Sequence, residues 1–328
     1  MKKLVLLLST LILLLIFAGC SQSSATGNQK TNQSKSDYPS KPIELIVPYG
    51  TGTGPDLSAR IYADVVTKYL PNQQPIVVIN RPGGSGTVGA TEVFQAKPDG
   101  YKIGQISPAV IGILPHLGDT PFTHDSFQAL MKIAVSPAFF VVKADAPWQT
   151  YEEWLEYTKE NPDKFTYGIS VLPQQMPMEA ISLTNNIKIK PTMFKSGPEV
   201  LNALLGGHVH GAVIDITTVL PQLESRKLRV LLNVGQTKVQ DFPMIQDKGV
   251  DFNFEGGNIL WTPKGVPEDV VEILHDAFKK AHDEPEVQEK LKKLNIITTY
   301  EGPEETQKEI TELYYNSEEL LKAVGLIK

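Results

Sequence analysis

Short runs of β-branched residues alternate with amphipathic stretches along most of the chain, a pattern typical of alternating strands and helices. The runs 43–47 and 76–79 are predicted to be strands, the second of them buried. Apolar residues then recur at every fourth position from Leu57 to Tyr69, which predicts a helix after the first strand. The same order of strand, glycine-rich turn and helix is predicted again at 76–96.

The remaining pattern extends this alternation to the C-terminus. Further strands are predicted at 102–106, 127–135, 138–142, 165–170, 187–194, 212–216, 228–234 and 256–261. The second and third of these are expected to pair with each other. Helices are predicted at 88–96, 151–160, 178–185, 199–205, 268–281, 285–294 and 304–324. The helix-start signals are the capping residues Asp56 and Ser85 or Thr87, and the capping boxes Thr150 with Glu153, Ser196 with Glu199, and Asp283 with Glu286.

Strands and helices alternate in two series with a late return, which predicts an α/β fold of two domains joined by two crossings. The first domain is expected to comprise 38–142 plus 258–328, and the second 143–257. Parallel strands that end side by side would bring both glycine-rich turns to the carboxyl edge of the sheet, where α/β proteins bind ligands. A cleft between the domains is therefore expected at this edge.

Two glycine-rich turns, 50–56 and 83–89, carry the candidate chemistry. The free N–H groups at a helix start and the positive end of the helix dipole point the same way, so both turns favour an anion. Glycine lets the backbone approach such a ligand closely. Asp56 has two interpretations: a helix cap that needs no ligand, or a cleft residue that orients a turn amide or meets a positive ligand group.

The second turn is similar to three nucleotide-binding or catalytic motifs, and each fails on a missing residue. Gly84–Gly89 fits G-x-G-x-x-G, but no acidic residue follows about 20 positions on to hold a ribose. Neither turn continues as Gly-Lys-Ser/Thr, and Thr87 stands where a hydrolase elbow needs glycine. His208 and His210 could be metal ligands, but a polar turn is the preferred interpretation because no third ligand is near. No cofactor and no metal are expected.

The N-terminus indicates export. Residues 1–19 begin with Lys2 and Lys3, continue with an apolar stretch and end in small residues, which predicts a lipoprotein signal peptide. Cys20, the only cysteine, stands where a bacterial lipobox has its lipidated residue; the alternative is a fortuitous cysteine. The polar segment 20–37 is predicted to be a flexible tether. With a formal net charge of −6, no nucleic-acid partner is expected.

A series of motifs, in order, covers essentially all of the chain from Tyr38 to Lys328. The most specific block comprises Asn80-Arg81-Pro82-Gly83, Gly86, Gly89-Ala90 and Pro98-Asp99-Gly100-Tyr101. Weaker segments are Pro39–Ile43 through Val47–Tyr49, Asp56, Ala59-Arg60, Lys195-Ser196-Gly197, Leu204–Gly207, Trp261–Pro267 and Asp283–Val287. Together they resemble the substrate-binding proteins of tripartite tricarboxylate transporters, known as the Bug or TctC family.

The resemblance implies a two-domain, periplasmic-binding-protein-like fold of the type II, Venus-flytrap kind, and a monomer without enzymatic activity. Such a protein would capture a small organic acid, commonly a di- or tricarboxylate, outside the cytoplasm. It would deliver the acid to the permease subunits of a tripartite tricarboxylate transporter while anchored to the membrane by a lipid on Cys20. By position, the resemblance assigns ligand binding to Tyr49, Thr51, Gly52, Thr53, Asp56, Gly84, Ser85, Gly86, Thr87 and Ser107 in the first domain, and to Ser170, Lys195 and Asp215 in the second.

Two departures from the family pattern fall on the second domain. The loop 169–176 is bulkier and more apolar than the family's glycine- and serine-rich loop, and Met193-Phe194 replaces a proline-tyrosine pair. We therefore expect the distal part of the ligand to be less charged, or larger, than citrate. Two other functions stay open: a ligand-sensing subunit for a membrane sensor kinase, or an exported α/β enzyme.

Overall fold

Eleven strands occur in the computed structural model, which describes residues 37–118, 120–252 and 255–328. The signal peptide, Cys20 and the tether up to Ser36 lie outside these residues. In chain order the strands are β1 (Ile43–Val47), β2 (Ile76–Asn80), β3 (Lys102–Ile106), β4 (Phe127–Ser136), β5 (Ala138–Lys143), β6 (Thr166–Ile169), β7 (Lys190–Met193), β8 (Gly211–Asp215), β9 (Leu228–Asn233), β10 (Gly256–Pro263) and β11 (Ile297–Glu301).

The helices that connect and cover these strands are numbered separately in chain order. They are α1 (Gly54–Val66), α2 (Thr87–Phe94), α3 (Pro108–Gly112), α4 (Leu114–Leu117), α5 (Tyr151–Glu160), α6 (Met176–Asn185), α7 (Gly197–Leu205), α8 (Ile216–Glu224), α9 (Glu268–Asp283), α10 (Pro285–Lys293) and α11 (Pro303–Ala323). Within the described residues, no helix has both the length and the apolar character needed to span a bilayer.

The strands form two mixed sheets. The first has six strands in the order β11-β4-β10-β3-β1-β2, and the second has five in the order β7-β6-β8-β5-β9. β1 is parallel to both β2 and β3, and β6 is parallel to both β7 and β8. The parallel strands are the ones predicted to carry ligand-binding turns, and β1 and β2 are adjacent, as expected. The prediction that 76–79 is a buried strand is wrong: β2 lies at the edge of its sheet, and Val77 is 43% exposed.

The chain leaves the first sheet at Pro137. Strands β4 and β5 flank this proline and belong to different sheets, so the predicted pairing of 127–135 with 138–142 is wrong. Proline has no N–H to continue a strand ladder, which makes it a suitable break between two sheets. The passage thus precedes β5, whereas the sequence placed it after residue 142. The return through β10 occurs at Gly256, as predicted from 256–261.

Buried apolar side chains pack around each sheet, and residues 37–328 form one compact unit. Trp154 and Phe165 lie in the core of the second sheet, in edge-to-face contact at 5.4 Å between ring centroids. The C-terminal helix α11 contributes Leu313 and Leu321 to that same core, although the sequence assigned all of 258–328 to the first domain.

Helix starts follow the predicted caps in some places and depart from them in others. Thr150 and Ser196 are confirmed as N-caps, since each side chain accepts a hydrogen bond from the backbone N–H three residues on. The returning half of each predicted capping box differs, because Glu153 and Glu199 accept from the N–H of the residue before the cap, Gln149 and Lys195. The third, at Asp283, is wrong: α9 continues through Asp283, whose carboxylate pairs with Lys279. Strand β11 and helix α8 were not predicted. In α8 the β-branched residues and an internal proline, Pro221, obscured the helical pattern.

Candidate functional site

A cleft of about 630 Å³ opens between the ends of the two sheets, a volume suited to a small-molecule ligand. Both passages between the sheets line it, the first through Ser136 and Ala138 and the second through Gly256 and Gly257. The predicted site residues that also line it are Tyr49, Gly52, Thr53, Ser85, Ser107, Ser170, Lys195 and Asp215. The remaining predicted residues do not line it: Thr51, Asp56, Gly84, Gly86 and Thr87.

Asp56 fixes the first glycine-rich turn from behind. Its carboxylate is 1% exposed, accepts from Gly52 N at 2.8 Å and pairs with Arg60 at 2.9 Å. Burial alone would raise the pKa of Asp56, but its hydrogen bonds and the Arg60 charge together lower it below the ordinary value. Thr53 is the N-cap of α1, but its hydroxyl donates to the Gly50 carbonyl at 2.7 Å and makes no capping bond, so the prediction of Asp56 as the cap is wrong. Its alternative role, orienting a turn amide, is confirmed.

Asn80, at the end of β2, ties the first turn to the second strand. Its side-chain N–H₂ donates to Asp56 Oδ1 at 2.9 Å and to the Tyr49 carbonyl at 3.0 Å, while its oxygen accepts from Arg60 at 3.0 Å. Asn80 was not among the predicted site residues. The sequence feature that could have indicated its role is its position at the start of the specific block Asn80-Arg81-Pro82-Gly83.

The second glycine-rich turn brings the backbone close to the first. Gly86 has a φ of 106°, and a Cβ there would lie 2.9 Å from Val110. A Cβ on Gly89 would lie 2.7 Å from Pro48, so α2 packs directly on the end of β1. Gly86 is the N-cap of α2, and neither Ser85 nor Thr87 caps it as predicted. The Thr87 hydroxyl instead donates to the Gly84 carbonyl at 2.9 Å, which closes the turn on itself.

Tyr49 presents a phenol to the cleft. Its oxygen accepts a hydrogen bond from Ser107 N at 3.3 Å, which leaves its own O–H free to donate. Burial raises the pKa of Tyr49 to about 12, Ser107 N–H opposes this rise, and the carboxylate of Asp215 adds to it. The phenol therefore stays protonated and is a hydrogen-bond donor at every physiological pH.

The first turns of four helices line the cleft, at Gly54 in α1, Pro177 in α6, Gly197 in α7 and Ile216 in α8, and so does that of the short helix α3, at Ala109. Each helix start carries N–H groups without intrahelical partners and the positive end of the helix dipole. Charged side chains contribute little, because Lys195 and Asp215 are the only formally charged residues among those lining the cleft. The arrangement is thus a receptor for negative charge built from main-chain groups.

The second sheet contributes a short polar network that the sequence reasoning missed in part. Gln174 Oε1 accepts from Ser170 N at 2.8 Å and from the Ser170 hydroxyl at 3.2 Å. Gln174 also acts on the Asp215 carboxyl, whose pKa it lowers as a hydrogen-bond donor does. Gln174 was not predicted, because its position in an apolar loop gave no sign that its side chain would turn back to the cleft.

Lys195 lies at the entrance to α7, directly before the capping residue Ser196. Its backbone N–H donates to Glu199 at 3.2 Å, and the exposed side chain lines the cleft. Trp148 and Trp154 are buried packing residues. His210 is engaged with Thr166, whose N–H donates to Nδ1 at 3.1 Å. Across the ranges that the structure describes, no group of three or more His, Cys, Asp or Glu residues is placed to hold a metal ion.

Comparisons with known proteins agree with the geometry of this cleft. The family described as "Tripartite tricarboxylate transporter family receptor" matches residues 58–326. A Cupriavidus necator protein, "UPF0065 protein in gbd 5'region", is 32% identical over 299 residues, covering 89% of this chain and 90% of that protein. A TctC solute-binding protein from Polaromonas has a similar structure, with a TM-score of 0.75 and 29% identity, covering 87% of this chain and 99% of that one.

Two more distant structures hold carboxylates and share the fold. A Rhodopseudomonas palustris protein solved with adipate has a TM-score of 0.74 and 22% identity, over 88% of this chain and 99% of that one. The MatC protein of the same organism, solved with malate, has a TM-score of 0.73 and 21% identity, over 87% of this chain and all of that one. Together with the Polaromonas match, they confirm the predicted two-domain, periplasmic-binding-protein-like fold.

Proposed function

Because this chain belongs to the tripartite tricarboxylate transporter receptor family, we propose that it binds a small organic acid in the cleft between its two sheets. The observation that carries this proposal is the convergence of four helix N-termini on a cleft that lysine and arginine hardly line. A carboxylate suits such a receptor, because its oxygens accept several backbone N–H bonds without needing a cationic side chain. The adipate- and malate-bound structures support the same class of ligand.

The carboxylate lies, in this proposal, against the two glycine-rich turns of the first sheet. Main-chain N–H groups near Gly52–Gly54 and Ser85 and the hydroxyls of Tyr49 and Ser107 would meet it. Asp56 acts indirectly, because its carboxylate holds the first turn in place. From the second sheet, Ser170, Lys195 and Asp215 would meet the other end of the ligand when the cleft closes over it.

The distal part of the ligand is less charged, or larger, than citrate. Apolar side chains of the loop after β6, Val171 and Pro173, line the cleft beside Pro177. They leave Lys195 as the only formal positive charge on that side, so a third carboxylate would lack a partner. A preference for citrate over mono- and dicarboxylates would contradict this part of the proposal.

The protein would act as an extracytoplasmic receptor that hands its acid to the permease subunits of a tripartite tricarboxylate transporter. A lipid on Cys20 would anchor it to the membrane, and the segment up to residue 37 would serve as the tether. It would act as a monomer and perform no chemistry on the ligand. The relatives support this role, since they are solute-binding receptors.

Thermal-shift screening of residues 37–328 against mono-, di- and tricarboxylates and neutral sugars tests the proposal. A ligand that binds only the folded state raises the melting temperature by mass action, by an amount that grows with ligand concentration. We expect at least one dicarboxylate to raise it and the sugars to leave it unchanged. A response to a neutral solute, with none to any acid, would overturn the carboxylate assignment.

A further inference from the structure

Asp215 occupies an unusual position for a helix-capping residue. It ends β8 and is the N-cap of the nine-residue helix α8, yet its side chain makes no capping hydrogen bond. An aspartate at this position ordinarily accepts from the second or third N–H of its helix, which stabilises the helix start. Here the carboxyl lines the cleft instead, beside Thr217 and Thr218. The fold therefore forgoes a local stabilisation to place a carboxylate in the binding site.

The Gln174 side chain is fixed in the orientation that suits this carboxylate. Its oxygen accepts from Ser170 N, from the Ser170 hydroxyl and, at 3.4 Å, from Val171 N. With its oxygen so occupied, Gln174 has its N–H₂ group left for other partners, and it opposes the rise in the pKa of Asp215 as a neutral hydrogen-bond donor does. An ionised carboxylate can accept about four hydrogen bonds, so one neutral donor leaves most of this capacity open.

No cation in the part of the chain that the structure describes pairs with Asp215. Arg60 pairs with Asp56, and Lys195, the one basic residue of the cleft, forms no ion pair with Asp215. The charged group that acts on the pKa of Asp215 is a second carboxylate, Glu255, which is 2% exposed and accepts from Gln236 N and Thr237 N. Burial first, and then Glu255, raises the pKa of Asp215 to about 6, against the opposing effect of Gln174.

These observations describe a half-buried, under-coordinated negative group inside a cleft whose remaining walls attract negative charge. We propose that Asp215 determines specificity by accepting an ammonium group of the ligand, so that the substrate is an amino-substituted carboxylic acid. The carboxylate of this ligand lies at the glycine-rich turns, and its ammonium group donates hydrogen bonds to Asp215. The inference rests on the proposed function, because it assumes that the acid binds in this cleft.

An ammonium group fits Asp215 better than the two other groups that a small acid could offer. A second carboxylate on the ligand would meet the like charges of Asp215 and Glu255, and like charges at short range repel each other. A hydroxyl on the ligand would donate one hydrogen bond but leave Asp215 without a counter-charge. An ammonium group supplies up to three donors and the opposite charge, so it satisfies both deficits.

Calorimetric titration of residues 37–328 at pH 7.5 with two matched series of acids tests the inference. One series is succinate, malate and aspartate, and the other is glutarate, 2-hydroxyglutarate and glutamate. Within a series the acids differ only by hydrogen, hydroxyl or ammonium at one carbon. We expect the amino acid of at least one series to bind about tenfold or more tightly than both of its partners, as a hydrogen-bonded charge pair requires.

The variant Asp215→Asn keeps the shape and removes the charge, and the preference for the amino acid should fall to within about threefold. Asp215→Ser removes the same charge with a smaller side chain and guards against a folding defect in the first variant. The matched control is Glu224→Gln, which removes an exposed carboxylate at the other end of α8 and should leave the preference unchanged.

Equal binding of all three members of a series, or a preference for the hydroxy acid, would overturn the assignment of an ammonium group and leave the carboxylate cleft standing. A preference that survives both substitutions of Asp215 would overturn its role. Binding of none of the six acids would overturn the proposed function together with this inference.

Discussion

The two walls of the cleft differ in the side chains that they add to main-chain groups. On the first sheet the ligand-facing groups are chiefly backbone amides of two turns, held by the buried Asp56 and by Asn80. On the second sheet the starts of α6, α7 and α8 also line the cleft, and side chains beside them face the ligand, chiefly Gln174, Lys195 and Asp215. Backbone groups recognise what all carboxylates share, whereas a side chain in the cleft can change with one substitution. The first wall thus supplies affinity for the class, and the second selects a member of it.

The largest effect is expected from breaking the support of the first wall. Asp56→Ala would leave the Gly52 amide and the Asn80 side chain without their buried acceptor and Arg60 without its partner. We expect a loss of about 3 kcal/mol in the free energy of unfolding and at least about tenfold weaker binding of the acid. Chemical denaturation and calorimetry measure the two quantities.

Asp64→Ala is the matched control for Asp56→Ala, because Asp64 is an exposed residue of the same helix α1. It should change the free energy of unfolding by less than about 0.5 kcal/mol. If both variants behave alike, the support given by Asp56 is not what holds the turn.

A smaller effect is expected from adding one methyl group to the second turn. Gly86→Ala places a Cβ 2.9 Å from Val110 at a φ of 106°, which disfavours any side chain. We expect destabilisation by about 1–3 kcal/mol and weaker binding of every acid in a panel by a similar factor. Gly118→Ala serves as the control, since a Cβ there meets no atom within 4 Å and the backbone is extended. A change of acid preference in Gly86→Ala would contradict the assignment of class recognition to this wall.

Asp215 on the second wall should cost stability in the absence of ligand. Its pKa in the folded protein is about 6, above the ordinary 3.8, so the folded state binds this proton more tightly than the unfolded state. Stability contributed by the neutral form is then lost as pH rises from about 4 to about 6. Asp215→Asn should therefore stabilise the ligand-free protein by about 1–2 kcal/mol at pH 8 and by much less at pH 4. Denaturant unfolding at both pH values checks this, and a variant that is less stable than the parent at pH 8 would contradict it.

The smallest effect is expected at Lys195. Its side chain is exposed, and an exposed charge is screened by water and salt. Lys195→Met should weaken binding by less than about tenfold, with a difference that shrinks further at high salt. Lys188→Met, on an exposed residue that does not line the cleft, is the control. Abolished binding in Lys195→Met would mean that side-chain charge, and not the backbone of the first wall, holds the acid.

Local signals in the sequence predicted the parts of the fold that depend on local chemistry. The N-caps Thr150 and Ser196, the strand β1 and the two glycine-rich turns are determined within a few residues of chain. Which strands lie next to each other in a sheet was not predictable in the same way. Nothing local indicates that β4 and β5 belong to different sheets, or that β2 lies at an edge.

The site shows the same division. The first-wall turns were found because glycine and helix starts leave a mark in the sequence. Asn80 was missed because it acts through contacts with residues that only the fold brings near. Gln174 was missed because its apolar loop gave no sign that its side chain turns back to Ser170, four residues before it. The helix start of α8, which frees Asp215 for the cleft, was hidden by β-branched residues and by Pro221.

The crystal structure of residues 37–328 with the tightest-binding acid of the panel tests the central claim most directly. We expect a ligand carboxylate whose oxygens lie about 3 Å from backbone N–H groups of the turns 50–54 and 83–87 and accept a hydrogen bond from the Tyr49 hydroxyl. A carboxylate held by lysine side chains, or an acid bound outside the cleft between the two sheets, would contradict it.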